Sequence, residues 1–223
     1  QDIASAMIPA RATVVRGGGL SGQLRKNLQP IWARLTTQLI ATICGLGAAV
    51  PTLLNGTDAR DVFSWAYPID KIAVHLDPLG AFFLVWSLPM VLLGSIYALG
   101  YLRPHFATRH VGVHFALLNL VSLSFVMIYT LESAIVFLLA WEIAAVAAWL
   151  LVIWDYGSQK VRFAGFNYLV STHVGLFFLV GALMVLHSQT GSMDFQSFSG
   201  FLDAPSSLRN TTFLLLVTAF GIK

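Results

Sequence analysis

The sequence predicts an all-α, multi-pass transmembrane helix bundle, and three observations carry that expectation. Hydrophobic residues fill 57% of the 223 positions and charged ones 10%, where an ordinary soluble domain carries roughly a quarter charged. The apolar residues stand in long blocks rather than in the alternating or helical stripes of a soluble core, so the medium outside the helices must itself be apolar. The basic residues gather in short connections between the blocks, which reads as membrane topology. A net charge of +3 and a pI near 9.2 therefore do not call for a nucleic-acid partner.

Six blocks can be marked, at about 31–54, 78–101, 111–131, 133–154, 164–187 and 211–223, giving about six membrane segments. The first five are long enough to span the ~30 Å hydrocarbon layer. In the second block Asp77-Pro78 supplies a side-chain N-cap followed by a proline suited to the first helical position, so that helix should start there. Pro89 lies well inside it and should kink it, either for packing or as a hinge. The sixth block stops at Lys223 after roughly 20 Å of helix, and a chain end inside the membrane would be costly. The chain is therefore expected to be part of a longer protein or to rely on a partner. Residues 1–30, with Gly17-Gly18-Gly19 and four basic residues, are expected to form a cytoplasmic segment ahead of a transmembrane domain at 31–223. The chain opens on Gln without a basic-then-apolar leader pattern, so no cleavable signal is expected.

Counting Lys and Arg by alternate sides puts Arg11, Arg16, Arg25, Lys26, Arg34, Arg103, Arg109, Lys160 and Arg162 on one side, against Arg60, Lys71 and Arg209 on the other. The positive-inside rule then places residues 1–30, 102–110 and 155–163 in the cytoplasm and the 55–77 and 188–210 connections outside. Cys44 is the sole cysteine, which excludes an intrachain disulfide and any paired-cysteine metal site.

Of the ten carboxylates, Asp2, Asp58, Asp61, Asp70, Asp77, Glu132, Asp155, Asp194 and Asp203 fall in connections or at helix ends, leaving Glu142 alone in the membrane. It stands nine residues beyond Ser133, about 14 Å down a helix, where an ionised carboxylate costs a few kcal/mol at least. A buried Glu beside an ionisable partner can be poised to take and release protons. The plainer reading is a protonated Glu bonding a neighbouring helix, and the alanines Ala140, Ala144, Ala145, Ala147 and Ala148 fit either. Lys223 is the basic residue deep in an apolar block, at a depth within roughly one turn of Glu142. The two could pair, each protonation biasing the other, unless Lys223 is only where the chain is cut.

His173 lies about nine residues into its helix beside Thr172 and can relay a proton or serve packing alone. Asn119 and Ser122 share a helix face at i,i+3 spacing and either line a wet path or bond a neighbouring helix, the latter being favoured. His75, His105, His110, His114 and His187 have no cysteine or carboxylate at ligand spacing, so no metal site is expected. No phosphate loop, cysteine cluster, haem motif or nucleophile elbow is present, so no redox centre is expected in this chain.

The segments carrying these residues resemble the antiporter-like, proton-translocating membrane subunits of respiratory complex I, Mrp cation/proton antiporters and group 4 hydrogenases. HLDPLGAFFLVWSLPMVLLGSIYALGYL resembles that family's third helix, FLLAWEIAAVAAWLLV its glutamate-bearing fifth, FNYLVSTHVG followed by GSMDFQSF its sixth, and FGIK the opening of its lysine-bearing seventh. The WEI and THVG runs resemble most the hydrogenase-4 component B and formate hydrogenlyase subunit 3 branch. The likeness covers about Ile31 to Lys223.

The resemblance implies a fold of about fourteen helices with two inverted repeats, each holding a broken helix, and it matches Glu142 and Lys223 to charged stations along the mid-membrane plane. It further implies residence in the cell's inner membrane and other membrane subunits as partners. Iron–sulfur, nickel–iron or flavin centres would lie only in a peripheral redox arm, and protons, with sodium as the alternative, would be the ions moved. Two features depart from the pattern. The broken helix and second repeat would fall beyond Lys223, and the AAVAAW run after Glu142 is poor in hydroxyls.

Three functions compete at this stage. The first is a proton-translocating subunit of a membrane oxidoreductase, with Glu142 as relay and Lys223 as modulating charge. The others are a stand-alone Mrp-like antiporter or ion-coupled uptake module, and a non-conducting structural fragment.

Overall fold

A computed structural model describes residues 19–64, 71–106 and 110–223, with the side-chain surroundings of 19–30 and Lys71 left aside. Asp2, Arg11, Arg16, Gly17, Gly18, Asp70 and Arg109, and so most of the expected cytoplasmic segment, lie outside the described residues. Six α-helices dominate: α1 (Gly19–Asn55), α2 (Pro78–Tyr101), α3 (Val111–Thr130), α4 (Ala134–Val152), α5 (Gln159–Thr190) and α6 (Ser206–Ile222). Five of them, α1 to α5, are long and apolar enough to cross a membrane, and the chain is a multi-pass α-helical membrane bundle. Their outward faces carry large apolar groups such as Trp86, Phe177 and Met184, which only a nonaqueous surrounding tolerates in such number.

Local chemistry sets the ends as expected in one case and not in others. Asp77 Oδ1 accepts the Gly80 N–H at 2.7 Å and Pro78 takes the first helical position, so α2 begins there. The helix continues through Pro89, whose missing N–H leaves the carbonyl one turn earlier without its usual donor. α1 begins at Gly19 rather than near residue 31, and α6 begins at Ser206 rather than near 211. Polar first turns explain both differences: a backbone helix starts where its hydrogen bonds start, while an apolar window marks only the part fit for lipid. α5 ends on Gly191, whose φ of +69° is the left-handed C-terminal conformation that glycine adopts without strain.

The 55–77 connection holds a β-hairpin that the apolar pattern does not reveal. Strands β1 (Ala59–Ser64) and β2 (Lys71–Leu76) pair antiparallel with Arg60 opposite His75. At this end of the bundle all three connections are tied together. Val74 bridges to Leu131 and Ser133 to Asp194. Glu132 N–H donates to Ala73 O at 3.1 Å, Ala134 N–H to Met193 O at 2.8 Å and Phe195 N–H to Glu132 O at 2.9 Å. The three residues between α3 and α4 are thus clamped between the hairpin and the 3-10 segment Phe195–Asp203.

Packing falls into two groups joined across α3 and α4. Helices α1, α2 and α3 share clusters around Ile31, Leu102 and Phe115, and around Ala49, Leu84 and Leu88. Helices α4, α5 and α6 share one around Ala134, Leu179, Leu183 and Ala219. Small residues let α4 sit close to its neighbours: Ala140, Ala145 and Ala147 are almost fully buried. Gly175 does the same for α5 against α6, since a Cβ there would stand 3.1 Å from the Ala219 carbonyl oxygen.

Candidate functional site

Glu142 projects from the middle of α4 toward α5. Its Oε1 is buried without a hydrogen-bond partner in the protein, and its Oε2 stands 3.6 Å from His173 Nε2. On the other side of the ring, His173 Nδ1 is 2.8 Å from the Leu169 carbonyl oxygen one turn earlier. A carbonyl can only accept, so Nδ1 must carry a proton. That assignment leaves Nε2 either as a lone pair facing a protonated carboxyl or as an N–H facing a carboxylate. A proton shared by the two can sit on Glu142, leaving both groups uncharged, or on His173, forming an ion pair. At 3.6 Å the two atoms face each other beyond hydrogen-bond range, and a shift of under about 1 Å brings them within transfer reach.

Lys223 lies alongside. Its ammonium sits 4.4 Å from the ring centre of Trp141, the residue before Glu142, a cation–π contact. Trp141 in turn packs edge-on against Phe220 of α6, with ring centres 5.7 Å apart. Glu142 is close enough to act on Lys223 electrostatically. Among the described residues no direct ion pair joins them, and the group directly facing the carboxyl is His173.

The remaining polar candidates are placed elsewhere. Thr172 is buried and donates to the Leu169 carbonyl of its own helix at 2.9 Å. Asn119 Nδ2 donates to Arg34 O at 3.0 Å, and Ser122 Oγ accepts from Gln38 Nε2 at 3.0 Å. Both bonds fasten α3 to α1, and both residues also line a cavity between these helices.

A second polar cluster, at the hairpin end, escapes the sequence reading. Glu132 is buried, yet its Oε2 accepts from Arg60 at 2.8 Å and its Oε1 from Gln196 Nε2 at 2.8 Å. His75 sits between two carboxylates, with Nδ1 3.4 Å from Glu132 Oε1 and Nε2 3.4 Å from Asp58 Oδ2. The hairpin brings these groups together from positions far apart in sequence, which spacing along the chain does not reveal. Among the described residues no cluster of three or more metal-ligating side chains is arranged around an ion site.

Residues 132–223, which include Glu142, His173 and Lys223, match the family described as NADH:quinone oxidoreductase/Mrp antiporter, transmembrane. Hydrogenase-4 component B of Escherichia coli K12 is 25% identical over 187 residues, covering 84% of this chain and 27% of that protein. NADH-quinone oxidoreductase subunit L of the same organism is 25% identical over 200 residues, 82% of this chain and 33% of the relative.

Over residues 132–223 the chain is similar to the antiporter-like membrane-subunit family.

A Mycobacterium tuberculosis H37Rv protein described as uncharacterized is 31% identical over 160 residues, 71% of this chain and 24% of that protein. The chain thus spans about a quarter of the length of the first of these relatives. Among solved structures, the membrane-bound sulfane sulfur reductase, an archaeal respiratory membrane complex, contains a chain matching 91% of this one and 43% of itself. The TM-score is 0.67 at 14% identity, a likeness of fold. The antiporter-like match contains the whole α4–α5–α6 group and so encloses the Glu142 site.

Proposed function

We propose that this chain moves protons across the membrane as one subunit of a redox-driven complex, with Glu142 and His173 passing a proton between them and Lys223 setting the charge beside them. The observation that supports this most is the Glu142–His173 pair, in which the Leu169 carbonyl fixes the histidine tautomer and leaves one transferable proton. A second support is that a transfer within the pair adds no net charge to it. A lone charge at membrane depth costs several kcal/mol, and a transfer that forms an adjacent ion pair leaves no charge unpaired. Lys223, close enough for Glu142 to act on it, makes the charged carboxylate easier to hold, and its withdrawal returns the proton to Glu142. Two of the relatives bear the names of NADH-quinone oxidoreductase and hydrogenase subunits, which supports a redox reaction in partner subunits as the energy source. By the positive-inside count the hairpin end faces outward and the 102–110 end faces the cytoplasm.

The test uses the full-length protein in its membrane complex, in sealed vesicles, reading proton movement per turnover of the electron-transfer reaction. Glu142→Gln should assemble and sustain electron transfer while proton movement falls by at least about tenfold; unchanged proton movement would remove the relay role. Replacing sodium in the medium throughout should leave the wild-type signal intact.

A further inference from the structure

The polar cluster at the hairpin end lines a cavity that extends to Trp141, the residue before Glu142. The cavity has a volume of about 580 Å³ and is lined at one end by His75, Asp77, Glu132 and Gln196 and at the other by Trp141 and Phe220. Trp141 and Phe220 form the edge-on pair that carries Lys223 and adjoins Glu142. From the start of α4 to Trp141 the drop is about 11 Å, so the hollow runs from the surface cluster down the first two turns of α4. Its middle is aromatic, with Phe83, Phe137 and Phe195, and a throat of this kind passes protons only while it is wet.

We infer that His75 is the proton-transfer residue at the outer mouth of this cavity, handing protons between the cavity and bulk water. This rests on the reading that the chain moves protons, and adds a site that the reading does not contain. The geometry of the ring carries it. Nδ1 faces the buried Glu132 on the cavity side, and Nε2 faces Asp58, whose side chain is 58% exposed. With the neutral ring protonated at Nε2, a proton arriving from the cavity binds the Nδ1 lone pair and gives an imidazolium that donates toward both carboxylates. The Nε2 proton then leaves to Asp58 and on to water, so one proton enters, one leaves, and the ring has changed tautomer. Exchange with water or rotation of the ring restores it.

The neighbouring groups suit this traffic. Glu132 is held by Arg60 on β1 and by Gln196 on the 3-10 segment, so its charge is already balanced and it steadies the imidazolium without trapping the proton. Asp77, from the start of α2, lines the same cavity, with Oδ1 committed to the Gly80 N–H. Arg60, directly across the hairpin from His75, keeps the mouth from accumulating negative charge.

The experiment is again made on the full-length protein in its complex, in vesicles oriented so that the hairpin side faces the assayed compartment. His75→Ala should slow proton appearance there by about tenfold, and imidazole added to that compartment should restore it, because a mobile buffer replaces a surface proton carrier but not a packing contact. His75→Asn keeps a donor toward Glu132 without titrating and should behave in the same way, and it provides the reading if His75→Ala fails to assemble. Wild-type rates in His75→Asn, or a loss that imidazole does not restore, would overturn the proposal. Glu142→Gln run in parallel separates the two claims. If it pumps normally while the His75 variants are rescued by imidazole, the Glu142 relay fails and the mouth stands.

Discussion

His173 turns Nε2 toward the Glu142 carboxyl at 3.6 Å while its Nδ1 is committed to the Leu169 carbonyl at 2.8 Å. The second contact gives the first its chemistry, because a neutral ring with Nδ1 already protonated presents its free lone pair at Nε2, toward Glu142. Replacing His173 with Gln keeps a polar group facing Glu142 and removes the capacity to take a proton. Proton movement per turnover in His173→Gln should fall by at least about tenfold with assembly unchanged, checked by vesicle pumping beside native electrophoresis. Wild-type pumping would reduce His173 to a packing residue.

Glu132 ties β1, the α3–α4 connection and the segment after α5 through its two acceptor oxygens. Arg60 is half exposed, so its guanidinium can return to water and that bridge counts toward the low end of its range. Gln196 is exposed as well, so its bond counts toward the low end too. Glu132→Ala should cost about 1–3 kcal/mol of stability and Glu132→Gln distinctly less, since a glutamine oxygen still accepts. Thermal melting in detergent compares the two, and equal melting points would show that the cluster does not hold this end together.

Gln38 is 1% exposed and donates to Ser122 across the α1–α3 interface. Ser122→Ala strands that buried donor and should cost about 1–2 kcal/mol, while Gln38→Leu combined with Ser122→Ala should recover most of the loss. Melting of the single and double variants decides it. Additive losses would mean that the two side chains do not depend on each other.

Gly175 brings α6 against α5 two residues beyond His173. Valine there would press on the Ala219 carbonyl and the Ile222 side chain, which approach the Cβ position at 3.1 and 3.6 Å. Gly175→Val should destabilise by about 1–3 kcal/mol and lower pumping, because the end of α6 that holds Lys223 over Trp141 must move. A variant with wild-type melting and pumping would show that this close approach does not position Lys223.

Much of the fold was legible because its signals are local. The start of α2 follows from Asp77, Pro78 and one hydrogen bond to Gly80, and the spans follow from apolar length. Glu142 was legible because a carboxylate within an apolar block stands out. Its partner was not, since His173 lies on another helix and facing depends on how α4 and α5 are rotated. Helices in lipid are apolar on every side, so the sequence pattern gives depth and little about facing. The Glu132 cluster was hidden for another reason. A carboxylate in a three-residue link between helices reads as exposed until the hairpin and the segment after α5 close over it, and those partners lie 72 and 64 residues away. The hairpin strands, six residues each, were too short to stand out inside a connection.

Infrared difference spectroscopy during turnover of the complete complex tests the relay most directly, because a protonated carboxyl buried from water has its own carbonyl band. Wild type should show such a band appearing and disappearing with turnover, shifted in heavy water and absent in Glu142→Gln. Identical difference spectra for wild type and Glu142→Gln would mean that Glu142 does not change protonation, and would contradict the account.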